Sequence, residues 1–512
     1  MHNYKLILTR FIMIKKIKIQ FIFILGSLFF MNSCAEDEGN YEYIEINEVA
    51  FKGIPESNTV LRGENLTINT DDVEFTLDPD GSGTYEYSWE AVSKNPLKDE
   101  IYKLSSDKNI DAQITLIPDN YTVYYIIKDL NTEVAWQHNV DLYVTNSIYE
   151  GWMVLNDVGG ESRLDMVSLL DGEYKEIQDV LGFVGSPLVL SGKPGFVKCY
   201  EWDRSFYGIY VSTEGNGTTK LEPDTFEWQK EYNLSYEFVG SQPENLEVDY
   251  MHIRGRNESV VMKDNDFYHY RSRGPILYNI PLNVTNQGVR FDVSKYYAKG
   301  SSFGSMMFYD DTNKKFMQHV AGRTYCFELP PSTEDLVAPG KDLIYMKETS
   351  YGGGFGENIS AILKDPVDGK NHIGFFSVGW SGLNVSHYSE ITATDFDLAE
   401  NIAIDPTYAY IMYNVGGKVY EYDIFTSTTV EMLDKGSQKI STLKYHTFDI
   451  WSPSYWKMGK QLIVCSYDPA GTEGSNGTIE FYDVFGIQGQ IQLDTSYTGF
   501  GKVVSLSYRE RY

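Results

Sequence analysis

Three stretches of this chain lie over one another residue for residue: Gly417-Lys-Val-Tyr-Glu-Tyr-Asp-Ile-Phe425, Gly477-Thr-Ile-Glu-Phe-Tyr-Asp-Val-Phe485 and Gly322-Arg-Thr-Tyr-Cys-Phe-Glu-Leu329. Each is a glycine turn that feeds a strand of alternating aromatic character. With Tyr325, Tyr420 and Glu480 as centres, weaker members fall at Asp165, Ile209, Tyr268 and Ile373, about 40 to 60 residues apart. A small sheet repeated at that period cannot bury its own faces and must pack on its neighbours, which is what a β-propeller provides. The spacing predicts about seven blades over residues 147–512, with six and eight left open because the weak members rest partly on spacing. The last strand, Lys502 to Tyr508, is placed to complete the blade begun by Trp152 to Leu155 and so to remove the free edge.

Composition agrees with an all-β chain. There are 40 Tyr and 27 Phe, many Val, Ile and Thr, and no long segment of helical period. Ahead of the repeat, residues 45–146 read as a separate sandwich of short alternating strands, with candidates at Asn65 to Thr70, Tyr85 to Val92, Tyr121 to Lys128 and Val134 to Val144. Within it, Asp78-Pro-Asp-Gly-Ser-Gly83 followed by Tyr85, Tyr87 and Trp89 resembles the turn and tryptophan strand of PKD domains. Tyr121-Thr-Val-Tyr-Tyr-Ile-Ile-Lys-Asp129 is similar to their later strand. Trp89 is followed by Glu90-Ala91-Val92 where that family usually has a Gly-Asp-Gly turn, so the segment is PKD-like. Asp78 and Asp80 read as a plain β-turn, with calcium ligation as the alternative.

The first 33 residues carry Lys5, Arg10, Lys15, Lys16 and Lys18, no acid, and an apolar run from Phe21 to Met31. This is a signal-peptide layout, with Met13 as a second candidate start. As a helix the run would reach about 16 Å, half of a ~30 Å hydrocarbon core. It ends at Ser33-Cys34, which resembles the loose lipobox of Bacteroidetes and marks Cys34 for acylation. Residues 34–44 then form an acidic tether opening with Glu36, Asp37 and Glu38, which resembles the signal that sends such lipoproteins to the outer face of the outer membrane. Loss of the five bases turns a formal charge of −29 into −34, a surface that repels nucleic acid and anionic head groups. The remaining Cys199, Cys326 and Cys465 are odd in number and sit in strand-like contexts, which predicts buried free thiols.

The whole order of lipidated cysteine, acidic tether, sandwich and propeller resembles the PKD-like family lipoproteins of Bacteroidetes. That resemblance implies a non-catalytic accessory component of a nutrient uptake system of the SusCD or RagAB type. Its partners would be a TonB-dependent importer and its lipoprotein lid, and its ligand an oligopeptide or oligosaccharide.

No catalytic set, cofactor or metal site is expected from the residues. Gly300-Ser-Ser-Phe-Gly304 matches the nucleophile-elbow pattern without the strand-to-helix context that motif needs, and the loop at Gly352 to Gly356 leads into no nucleotide-binding helix. The eight histidines form no metal-ligand pattern, and His252 and His269 stand alone among aromatic residues. In a chain with 72 acids, the pairs Asp310 with Asp311 and Asp264 with Asp266 read as solvated surface. What remains is aromatic surface: Trp451, Tyr455 and Trp456 in a loop-like segment, with Tyr351 and Phe355 flanking the glycine loop, all able to stack on sugars or receive peptide side chains. A propeller hydrolase or lyase acting on surface polymers is the alternative, signalled by convergent carboxylates or histidines at the central mouth. A purely structural importer subunit is a third reading. Cys34→Ala is expected to abolish lipid labelling in cells and to move the protein into the soluble fraction; full membrane retention of that variant would overturn the anchor.

Overall fold

A strand buried at every position has to be covered on both faces, and Ser305–Asp310 is buried at all six. Asn358–Lys364, Ile411–Val415 and Leu462–Tyr467 are buried at all but one position. The computed structural model describes residues 45–511, apart from short segments at 97–98, 171, 204–205, 254–257, 272–276, 301–304, 321, 330–335, 337–338, 353–357 and 380–381. Cys34, the signal run and the acidic tether lie outside the described residues, as do Ser301 to Gly304 of the serine loop and Phe355. Among the described residues no helix is long and apolar enough to cross a membrane.

The first unit is a β-sandwich. Its larger sheet runs in the order Ser57–Leu61, Ala135–Thr145, Asp119–Asp129, Tyr85–Ser93, Ile101–Ser105, with only the first pair parallel. Across from it, Asn65–Ile68 pairs with Ile110–Gln113. Trp89 is fully buried, stacks on Tyr125 at 4.2 Å between ring centroids and donates from Nε1 to the Asp107 carbonyl. This core draws only on residues between Val49 and Val144. The Asp78 carboxylate accepts from the amides of Ser82 and Gly83 and from the Tyr85 hydroxyl, so it is a turn-former held by its own loop.

From Glu150 onward the described residues form seven antiparallel sheets. The strands nearest the axis are Lys502–Arg509, Pro194–Asp203, Tyr250–Ile253, Ala298–Lys299, Asp342–Thr349, Asn401–Ile404 and Lys439–Lys444. Alternate residues of one strand feed different cores. Met153 and Leu155 pack towards the next sheet with Val197 and Ile209, while Trp152 and Val154 pack towards the last sheet with Ile463 and Phe481. Val260 and Val261, and Met306 and Met307, are divided in the same way. The remaining cores join the later sheets pairwise until Leu462 and Val464 meet Ala403 and Met412, so a ring of sheets closes on itself as a β-propeller.

Closure is made by the last strand. Lys502–Arg509 pairs antiparallel with Glu150–Val158, bringing Trp152 opposite Tyr508 and Gly151 opposite Arg509. Arg509 is fully buried; it donates to the Ile148 carbonyl and, at 3.2 Å, to Asp224, which Arg511 also reaches at 2.6 Å. Tyr508 and Tyr455 both donate to Glu150 at 2.7 Å. Residues 508–511 thereby tie together sheets from both ends of the chain. We expect a fragment of residues 147–512 to fold alone with a β-type circular dichroism spectrum, and the same fragment ended at Gly501 to lose its cooperative unfolding transition. Equal cooperativity of the two would show that the last strand is dispensable.

Candidate functional site

Near the propeller axis the inner strands line a half-open chamber of about 250 Å3. Four lysines line it, one each from four different sheets: Lys198, Lys299, Lys347 and Lys444. His252 and His446 add two imidazoles, and Glu348, Asp449 and Glu510 add three carboxylates. Tyr296, Tyr297, Tyr345 and Tyr445 form much of the wall, and Cys199 contributes a thiol that burial pushes up to about 12.

The carboxylates are largely committed. Asp449 pairs with Lys299 at 3.2 Å, and Glu510 accepts from the backbone amides of Asp449 and Ile450, the latter at 2.6 Å. The cations are not matched in the same way. Lys347 Nζ donates to the Tyr445 carbonyl and Lys444 Nζ to the Leu506 carbonyl, each at 2.9 Å. Both acceptors are neutral. Lys198, Lys347 and Lys444 are ion-paired to no described residue. Burial is the main force holding all three amines below the usual lysine value; repulsion by Lys347 adds to it at Lys198, and repulsion by Lys198 and Lys347 at Lys444, whereas at Lys347 the attraction of Glu348 outranks the repulsion of Lys299. Glu348 offsets part of this at Lys198 and Lys347. Burial and then the Lys198 charge push His252 down to about 3, and burial with three neighbouring lysines holds His446 far below its usual value, so both rings are neutral.

The aromatic candidates divide. Trp451 is 81% exposed and Trp456 66% exposed, on the segment that leaves the chamber after Asp449. Tyr455, between them, is instead a core residue stacked on Phe448 at 5.1 Å. The segment is also not a loop throughout: Pro453–Met458 is a short helix, started by proline in its first turn and followed by Gly459. Lys460 Nζ lies 3.7 Å from the centre of the Trp456 ring. Tyr351 is half-buried against Phe375 at 5.3 Å, away from the chamber lining.

The acidic pairs are structural but only partly solvated. Buried Asp310 caps its turn by accepting from Asn313, and buried Asp266 holds Arg290 and Asn283. Of the two isolated histidines, His269 contacts Glu258 at 3.2 Å, whereas His252 enters the chamber. The lysines were missed by sequence reasoning. The available signal was a lysine inside an apolar strand, as in Phe196-Val-Lys198-Cys-Tyr200, a placement that is rare unless the charge has a use.

The fold and this hub define the class: an all-β protein with a PKD-like sandwich followed by a β-propeller. Residues 34–186 match the PKD-like family, a match that begins at Cys34 and runs past the sandwich into the first sheet of the ring. No curated protein matches the chain. Among solved structures it is similar to a quinonprotein alcohol dehydrogenase-like protein of Bacteroides thetaiotaomicron, at 12% identity over 91% of this chain and 99% of that one, with a TM-score of 0.42. It is also similar to a DUF4784 family protein of Bacteroides caccae, at 10% identity over 91% and 100% of the two chains and a TM-score of 0.30. A third is YCF48 of Cyanidioschyzon merolae, at 11% identity over 62% and 96% and a TM-score of 0.34.

The unmatched cations give a stability test. Lys444→Met removes a desolvated amine and is expected to stabilise the protein in urea unfolding at pH 7. The folded state holds this amine below its ordinary value of 10.5, so over that interval the unfolded state binds more protons and the wild type gains stability as pH rises. The advantage of the variant should therefore shrink as pH approaches 10.5. An advantage that is absent, or that grows with pH, would contradict the charge assignment.

Proposed function

We propose that the protein is a non-catalytic binding component of the bacterial outer surface, tethered through acyl chains on Cys34. It captures an oligopeptide or oligosaccharide for a TonB-dependent importer and its lipoprotein lid, of the SusCD or RagAB type. The observation that carries this reading is the hub chamber together with Trp451 and Trp456, exposed on the segment that leaves it. A concave polar site with rigid aromatic rings beside it suits capture of an extended ligand. The signal run, the cysteine that follows it and the PKD-like match starting at Cys34 support a surface role for the whole chain. An anchor of several acyl chains is effectively permanent.

The convergence of imidazoles and carboxylates at the hub is what a propeller hydrolase or lyase would also need. Its electrostatics favour binding. A general base works best with a pKa near the working pH, and His252, held at about 3, lies far below it.

The protein solubilised from outer membranes should co-purify with importer subunits and leave peptide and glycan pools chemically unchanged while retaining part of them. Replacing Trp451 and Trp456 together with alanine should weaken that retention by roughly 1–3 kcal/mol. Turnover of a polymer by the purified protein, lost on Asp449→Asn, would replace this reading with the enzymatic one.

A further inference from the structure

We propose that the hub chamber binds a compact oxyanion, a carboxylate, sulfate or phosphate group, held by the ammonium groups of Lys198, Lys347 and Lys444. The inference deepens the binding role above and rests on it only for the source of the anion, as a free acid or as the acidic group of a larger ligand.

Three features carry it. The lysines come from three different sheets and converge on one half-open space of about 250 Å3, a size that admits an acidic group on a monosaccharide-sized body. Two of them are positioned by carbonyls, Lys347 on Tyr445 and Lys444 on Leu506. An ammonium has three donors, so each keeps donors for a ligand. Of the nearby acids, Asp449 is taken by Lys299 and Glu510 by two backbone amides, while Glu348, which accepts from the Lys299 amide, offsets part of the charge at Lys198 and Lys347 without forming an ion pair with either. Desolvated like charges kept together in this way are costly. A bound oxyanion offsets the mutual repulsion and supplies charge-assisted hydrogen bonds where water is scarce. The setting sharpens the point, since the chain as a whole carries a formal charge of −29 and the chamber is a local exception to that field. Neutral His252 and His446 beside the lysines can donate or accept as the ligand's hydroxyls require.

The mature protein should be titrated with sodium sulfate, sodium phosphate and D-galacturonate, against D-galactose and sodium chloride at matched ionic strength, by calorimetry and by thermal unfolding. A saturable heat and a saturable rise in melting temperature are expected with at least one oxyanion and with neither control; which anion responds identifies the acid class. Lys198→Met and Lys347→Met should each weaken binding by about tenfold or more, as loss of a charged hydrogen-bond donor implies, while Lys52→Met, at an exposed lysine of the sandwich, leaves it unchanged. Mass spectrometry of the wild type adds a readout independent of variant folding, because the bound anion should protect Lys198 and Lys347 from reductive methylation. Equal effects of galactose and galacturonate, no saturable oxyanion effect, or undiminished binding in both lysine variants would overturn the inference. Importer binding without any oxyanion effect would uphold the accessory role and overturn the oxyanion site. Consumption of the acid would do the reverse, keeping the site and ending the non-catalytic reading.

Discussion

The constraint on which the propeller depends is that its sheets are apolar on both faces. A strand such as Ser305–Asp310 cannot present either side to water, so each sheet needs two neighbours and the row of sheets has no acceptable end. The only solution that leaves no face uncovered is a ring. A ring in turn requires the end of the chain to return to its beginning, and Lys502–Arg509 does so by pairing with Glu150–Val158. The energetic emphasis falls on this seam. Tyr508, Trp152 and Phe448 pack edge to face around it, and Arg509 carries its charge into the core against Asp224 and the Ile148 carbonyl. An arginine this deep is tolerated because several of its donors are satisfied there.

Closing the ring also builds the site. Ser505 and Ser507 accept from the amides of Val197 and Cys199, fixing the last strand against the strand that carries Lys198. The same strand supplies the Leu506 carbonyl to Lys444 and ends at Glu510, which orders the Asp449–Ile450 turn. The hub is therefore assembled by the same contacts that close the fold, and its lysines are held on strands, not on mobile loops. Rigid placement of like charges is what lets repulsion persist in place of being relaxed by side chains swinging apart.

The fold was legible in the sequence to the extent that local signals survived burial. The repeat centres at Asp165, Tyr268, Ile373, Tyr420 and Glu480 all fall in the third strand from the axis, whereas Ile209 lies in a second strand and Tyr325 leads into the fourth, Cys326–Glu328. The glycine turn is the reason for the slip: Gly417 and Gly477 open third strands, while Gly322 lies in the hairpin one step further out. Second strands from the axis such as Ser305–Asp310 and Leu462–Tyr467, buried on both faces, show no period by which to align them. In the sandwich, where alternation is intact, Tyr85–Ser93 and Asp119–Asp129 fall within a residue or two of the expected spans. The site was less legible. Trp451 and Trp456 are surface residues as a loop reading implies, yet Tyr455 between them is core because a short helix turns it inward. The lysine cluster was invisible because ring geometry alone brings Lys198, Lys347 and Lys444 together.

The contrast between hub and exterior bears on how an acidic ligand could arrive at all. At physiological ionic strength charge is screened over about 8 Å, so the net negative exterior acts on an approaching anion at the surface but little inside the chamber, where the local cations prevail. An acidic group carried on a larger body has another way in, since apolar or hydroxylated parts of that body can first rest on exposed Trp451 and Trp456, whose attraction does not depend on charge. Those rings follow Asp449, which lines the chamber, by two and seven residues in the chain, and Lys460 lies over the Trp456 ring. On the proposed reading, a ligand that combines a stacking surface with a single oxyanion would engage both the aromatic pair and the lysine cluster.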